Sequence, residues 1–178
     1  MLSNIGDILE KFGKLKESLD YYDQAYKTAT HENKKKEESI KATLLKKMGE
    51  VNMLIGNLDT ALNLFDDAWK IFKNSDLSPS AAAEIHYLMG LTYEKNQDYE
   101  KALKNFIYAQ AELEKHEPSS VSLLELYFKI SKIQIEKFED EKAAKENLEK
   151  AIKLNSQLFG EKENDSVKKL RELLNEEK

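Results

Sequence analysis

The stretch DYEKALKNFIYAQAEL, residues 98–113, places a small residue, an aromatic and a second small residue at Ala102, Phe106 and Ala109, separated by four and then three positions. On a helix those steps put all three side chains on one face. Two antiparallel helices approach closely only where small side chains sit at the contact, and a ring between them fills the gap toward the neighbour. A single hairpin built this way leaves an apolar face uncovered, so the pattern predicts stacking on further copies.

Further copies are present. The triplet stands 41 residues earlier as Ala61, Phe65 and Ala68, and 43 before that as Ser18, Tyr22 and Ala25. It returns 42 residues downstream as Ala144, Leu148 and Ala151. Gly6, Gly49 and Gly90 keep the same interval, each preceded by an apolar residue, while Gly13 and Gly56 mark turn-like stretches 43 apart. In the fourth copy Lys132 and Glu139 occupy the glycine positions, counting by the period of the triplets.

Each unit reads as two helices. Leu44, Leu45, Met48 and Val51 form one apolar stripe, and Leu58, Ala61, Leu62, Phe65, Ala68 and Trp69 form a second, with Gly56-Asn57 between them as a tight turn. Ser78-Pro79 and Pro118 fall where one unit hands over to the next, and both prolines are expected in the first turn of a helix. The expected units span about 1–37, 38–78, 79–117 and 118–160 of a single domain 1–178. A capping helix at about 164–177 would carry Val167, Leu170, Leu173 and Leu174 on one side. The fold class expected is all-α, a right-handed solenoid of about four antiparallel helix pairs plus that cap.

Composition agrees with this reading and narrows function. Apolar residues make up 40% and charged residues 34% of 178, with six glycines and two prolines, which suits helices and not a many-stranded sheet. The net charge of −5 opposes nucleic acid as a partner, because phosphate binding needs a concentrated basic footprint. The run Lys34-Lys35-Lys36 is followed at once by Glu37 and Glu38, as at a solvated helix end. With no cysteine there is no disulfide or thiolate metal site, and no apolar run is long enough to span a membrane. The expectation is a soluble, cytoplasmic protein.

These residues resemble the tetratricopeptide repeat family. The third unit matches its pattern with Met89-Gly90, Tyr93, Ala102, Phe106 and Ala109, and the second with Met48-Gly49, Gly56, Ala61, Phe65 and Ala68, Asn52 replacing the aromatic. The first unit has Leu9 and Ser18 at motif positions; the fourth keeps the second-helix triplet and Ile135. Units of 41–43 residues exceed the common length of about 34 and resemble those of kinesin light chain-like proteins.

The resemblance implies a groove lined by the first helix of each unit, which holds an extended or helical peptide of a partner protein. Register by the triplet period places Lys46, Glu50 and Met53, then Tyr87, Leu91 and Glu94, then Lys129, Ile133 and Glu136 on that surface. Tyr87, Leu91, Ile133 and Met53 would supply apolar anchors, and Lys46 and Lys129 would meet an acidic group. Glu50, Glu94 and Glu136 form a negative row that disfavours a strongly acidic ligand.

Nothing in the sequence points to catalysis. His31, His86 and His116 lie in separate units without metal-ligand spacing and are expected at the surface or at helix ends. No phosphate loop, nucleophile elbow or His-Glu-x-x-His is present. The expected function is an adaptor without enzyme activity, metal or cofactor. Its alternative is an assembly element docking through its ends or convex face, with self-association.

Overall fold

The computed structural model describes residues 1–74, 79–160 and Lys168. Among the described residues eight helices follow one another: α1 (Leu2–Lys11), α2 (Leu15–Thr28), α3 (Lys34–Ile55), α4 (Leu58–Asn74), α5 (Pro79–Lys95), α6 (Tyr99–His116), α7 (Val121–Phe138) and α8 (Glu141–Phe159). Each packs chiefly on its chain neighbours, and α3 also touches α5. The architecture is therefore an all-helical solenoid of hairpins, α1–α2, α3–α4, α5–α6 and α7–α8. The expected capping helix lies outside the described residues.

The repeated triplets form the spine of the array. Ala61, Phe65, Ala68, Ala102, Phe106, Ala109, Ala144 and Ala151 are completely buried, as are Ser18 and Tyr22, with Leu148 nearly so. Ala25 is partly buried. The repeated glycines explain how rings of that size fit between two helices. A methyl group built on Gly6 would lie 2.5 Å from the Tyr22 ring, one on Gly49 2.5 Å from Phe65, and one on Gly90 2.5 Å from Phe106. Each aromatic thus packs directly against bare backbone of its hairpin partner.

The hairpin turns share one geometry. Gly13, Gly56, Gln97 and Glu139 all have positive φ, at 73°, 91°, 61° and 52°. Two of the four positions lack glycine, so the left-handed backbone is imposed there by the hairpin. Asp98 and Asp140 follow those two residues and cap α6 and α8, accepting from the amides of Lys101 and Ala143 at 3.2 and 3.1 Å.

Two helix starts differ from expectation. Pro79 opens α5, but α7 begins at Val121, where Ser120 Oγ accepts from the Leu123 amide at 3.2 Å. Pro118 lies in the preceding turn: the hydroxyl cap satisfies an amide that a proline cannot. Likewise α3 begins at Lys34, ahead of the expected unit boundary near 37, because Asn33 caps it through the Lys36 amide.

The fourth hairpin carries a shift of register. Its turn residue Glu139 stands 42 after Gln97, yet along most of α7 the buried pattern follows an interval of 41. Ala83, Ile85 and Thr92 of α5 correspond to Leu124, Leu126 and Ile133, all buried. The counterpart of Gly90 is consequently Ser131, fully buried with its hydroxyl bonded to the Tyr127 carbonyl, while Lys132 is exposed. The extra residue is absorbed in the last turn of α7, where the Asp140 amide reaches back to the Gln134 carbonyl. Here the glycine has become serine and the opposing ring has become Leu148.

That paired exchange makes the packing testable. Gly90→Ala is expected to cost about 1–3 kcal/mol through overpacking. Gly90→Ala combined with Phe106→Leu should cost less than the sum of the two single changes in urea denaturation. At the turns, Gln97→Gly should stabilise by about 1 kcal/mol and Gly56→Ala should destabilise by a similar amount.

Candidate functional site

The first helices α1, α3, α5 and α7 present one continuous surface, and side chains reaching between them hold it together. Lys47 of α3 pairs with Asp7 of α1, Lys46 of α3 with Glu84 of α5 at 2.6 Å, and Lys129 of α7 with Glu94 of α5 at 2.7 Å. Lys95 of α5 donates to the Met53 carbonyl of α3 at 2.7 Å. Each junction between successive hairpins thus carries a charged cross-link. Asp7, Lys46, Lys47, Glu94 and Lys129 are partly buried, so salt screens the Lys47–Asp7 and Lys129–Glu94 pairs less than it screens fully exposed ones, while Glu84 and Lys95 are exposed.

Position 47 shows what else these lysines do. By the 41-residue interval it corresponds to Leu88 and Lys129. Lys47 Nζ lies 5.5 Å from the Tyr22 ring centre, and Lys129 Nζ lies 5.4 Å from that of Phe106. Leu88 belongs to the buried cluster containing Phe65. At two of the places a lysine ammonium lies over the aromatic of the preceding hairpin, and at the third Leu88 packs in the cluster of the corresponding ring.

The residues expected to line the groove therefore divide. Met53, Tyr87 and Leu91 are partly buried, pack against the core clusters and keep an open edge. Lys46, Glu94 and Lys129 are on the same surface but already pair within the protein. Ile133 does not line it: 3% exposed, it belongs to the core formed with Phe106, Leu123 and Leu154. Glu136 is exposed and pairs with Lys132 of its own helix at 3.7 Å. The reason is the register of α7, whose positions equivalent to Lys46 and Tyr87, and to Glu50 and Leu91, are Phe128 and Lys132. Phe128 is partly buried against the core.

Electrostatics on this surface are uneven. Glu50 is partly buried, and loss of solvation raises its carboxyl above the usual 4.5, against the pull of Lys46. At Asp7 burial also acts to raise the carboxyl, but bonds from Lys47 and Tyr22 outweigh it and hold the group low. Burial pushes the Tyr87 hydroxyl up, helped by Glu125 and Glu94.

Between the N-terminal halves of α5 and α7 the surface opens into a cavity of about 200 Å³. Ala83, Leu113 and Leu126 floor it, Tyr87 forms a wall, and Glu84, Glu117 and Glu125 stand at its edge. Apart from Tyr87, none of these was named from sequence. Glu84 was within reach, since 84, 87, 91 and 94 continue one stripe; Glu125 is its counterpart 41 residues on.

His86 also departs from expectation. It packs between Trp69 and Tyr108, with ring centres at 4.9 and 4.8 Å, and its Nδ1 lies 3.1 Å from Asn105 Oδ1. Asn105 Nδ2 donates to the Lys101 carbonyl at 2.9 Å, which leaves Oδ1 to accept from a protonated His86 Nδ1. His31 and His116 are exposed. Among the described residues no group of acidic, histidine or cysteine side chains could hold a metal ion, and no helix is long and apolar enough to cross a membrane.

With that geometry in place, the relatives of the chain can be stated. The tetratricopeptide repeat family matches over residues 1–31, 83–107 and 124–158. A TPR repeat-containing protein of Methanocaldococcus jannaschii is 32% identical over 177 residues; the match covers 93% of this chain and 28% of that protein. The crystal structure of BtubC from P. vanneervenii superposes with a TM-score of 0.79 at 15% identity, covering 98% of this chain and 72% of BtubC. The nearly identical TPR-like repeats described as a Podosopora anserina kinesin light chain give 0.74 at 15% identity, covering 97% and 81%. The chain belongs to the tetratricopeptide repeat family, whose fold serves protein–protein interaction.

The state of Glu50 yields a pH-dependent prediction. A carboxyl raised on folding is neutral below its unfolded value near 4.5, where it matches an amide, and it destabilises the fold relative to the amide as pH rises and it ionises. Glu50→Gln should therefore raise the melting temperature by roughly 1–2 °C at pH 7. The gain should disappear in scans carried below 4.5.

Proposed function

We propose that this tetratricopeptide repeat protein is a non-catalytic adaptor of the cytoplasm that holds a peptide or helix of a partner protein along its first-helix face. The observation that carries the reading is the contrast between the two kinds of side chain there. Charged groups at the hairpin junctions pair with one another, whereas Tyr87, Leu91 and Met53 keep open apolar edges, that of Tyr87 beside a cavity. A partner can bury those edges without breaking the cross-links. Aromatic and large aliphatic anchors next to a pocket are the usual centres of binding energy.

The ion pairs also revise what the partner would look like. Lys46 and Lys129, read from sequence as receptors for an acidic group, are engaged by Glu84 and Glu94. An acidic ligand would have to displace those carboxylates. Apolar contact, not carboxylate capture, is the reading supported.

A second reading, assembly through the α1 end, is favoured by Ile8 and Phe12, which are 54% and 79% exposed. It predicts association that rises with concentration in light scattering and is lost in Ile8→Glu/Phe12→Glu.

The adaptor reading is tested by site-specific photo-crosslinking in cell extract. A benzophenone amino acid at Tyr87 should capture a discrete partner, and one at Tyr108, 54% exposed on α6, should not. Tyr87→Ala/Leu91→Ala, checked by circular dichroism, should lose the partner. Capture from Tyr108 and not from Tyr87 would overturn the assignment.

A further inference from the structure

The cavity between α5 and α7 carries a more specific message than the face it interrupts. At about 200 Å³ it is smaller than the roughly 300 Å³ at which small-molecule pockets begin, so it suits one side chain. Its floor is apolar and closed, Ala83, Leu113 and Leu126 being 2%, 5% and 1% exposed. Its rim is acidic, with Glu84, Glu117 and Glu125, and among the described residues no basic side chain lines it.

We propose that this cavity receives a cationic side chain, lysine or arginine, presented by the partner segment. The inference rests on the adaptor reading and deepens it. Glu84 is partly neutralised by Lys46, but among the described residues neither Glu117 nor Glu125 is in an ion pair. The cavity is thus a negatively charged recess with two unmatched carboxylates. A long aliphatic stem ending in a charge fits both parts: methylenes against the floor, the cation between the rim carboxylates. The Tyr87 ring adds a surface on which an ammonium or guanidinium is held favourably. A carboxylate or phosphate would be repelled, and a neutral aliphatic chain would leave the rim charges unanswered.

The geometry is built into the repeat. Glu84 and Glu125 occupy equivalent positions on α5 and α7, so neighbouring hairpins place their carboxylates on either side of the opening. Glu117 comes from the end of α6, completing the rim from a third helix. The corresponding residue of α3 is Thr43, so the acidic pairing belongs to the α5–α7 junction and is not repeated between α3 and α5.

The test uses the full chain, isotope-labelled, and N-acetylated, C-amidated peptides Ala-Leu-X-Leu-Ala with arginine, lysine, norleucine or glutamate at the centre. The arginine and lysine peptides should shift backbone resonances of residues 80–87, 113–117 and 122–126, with binding that weakens as salt is raised. In Glu117→Gln/Glu125→Gln, surface changes that leave the core intact, the apparent Kd for both should rise about five-fold. Equal binding of the norleucine peptide, or unchanged affinity in the double variant, would overturn the cation assignment while leaving the apolar face in place. Absence of any shift with the arginine and lysine peptides would also overturn it. The adaptor reading is judged separately, by crosslinking from Tyr87.

Discussion

The array depends on a contact between a ring and a bare backbone. Gly6 against Tyr22, Gly49 against Phe65 and Gly90 against Phe106 leave no room for a single methyl group. That closeness sets the distance between the two helices of a hairpin. The flanking alanines then let the next hairpin nest at the same depth. Because interiors are packed close to crystal density, a repeated contact of this kind fixes a repeated rotation between units. A surface extending over several hairpins needs such regularity.

Once the rings are seated, the lysines at positions 47 and 129 acquire a second role. Each holds its ammonium over the aromatic of the preceding hairpin and pairs with a carboxylate across the junction, Asp7 in one case and Glu94 in the other. Leu88 stands in the corresponding place without a charge, and there Lys46 supplies the ion pair instead, with Glu84. Packing and cross-linking are therefore separable in this structure: the place beside the ring takes a lysine or a leucine, and the pair is added from whichever neighbour is in reach.

Much of this was legible in the sequence, and the part that was not has a definite cause. Ala102, Phe106 and Ala109 announce themselves because close helix contact tolerates few residue types, and the same holds for Gly49 and Gly90. The placement of Ile133 failed because it took the 42-residue interval of the second helices and applied it to α7. Ser131, the true counterpart of Gly90, is hidden beside Lys132, and nothing local distinguishes a helix that gains its extra residue at the end from one that gains it at the start. Ion-pair partners were illegible for another reason. Whether Lys46 meets Glu84 depends on the rotation between α3 and α5, which the packed core sets and no local pattern records.

The same pairing decides the character of the first-helix face. Lys46, Lys47 and Lys129 are each matched by one carboxylate, so those three pairs contribute no net charge to what a partner meets. What remains at the cavity is acidic, with Glu117 and Glu125 outside any ion pair among the described residues, and Glu50 lies desolvated beside Lys46. The overall charge of −5 is thus not spread evenly in its consequences, since the unmatched groups on this face stand where a ligand would lie. Fixed carboxylates at the rim of an apolar recess keep their field when water is displaced, and the recess strengthens it by lowering the local dielectric. On the proposed adaptor reading, Tyr87 and Leu91 would hold many apolar segments, and the rim carboxylates would separate those that bring a cation from those that do not. Affinity would then come from the strip, and selection from the cavity beside it.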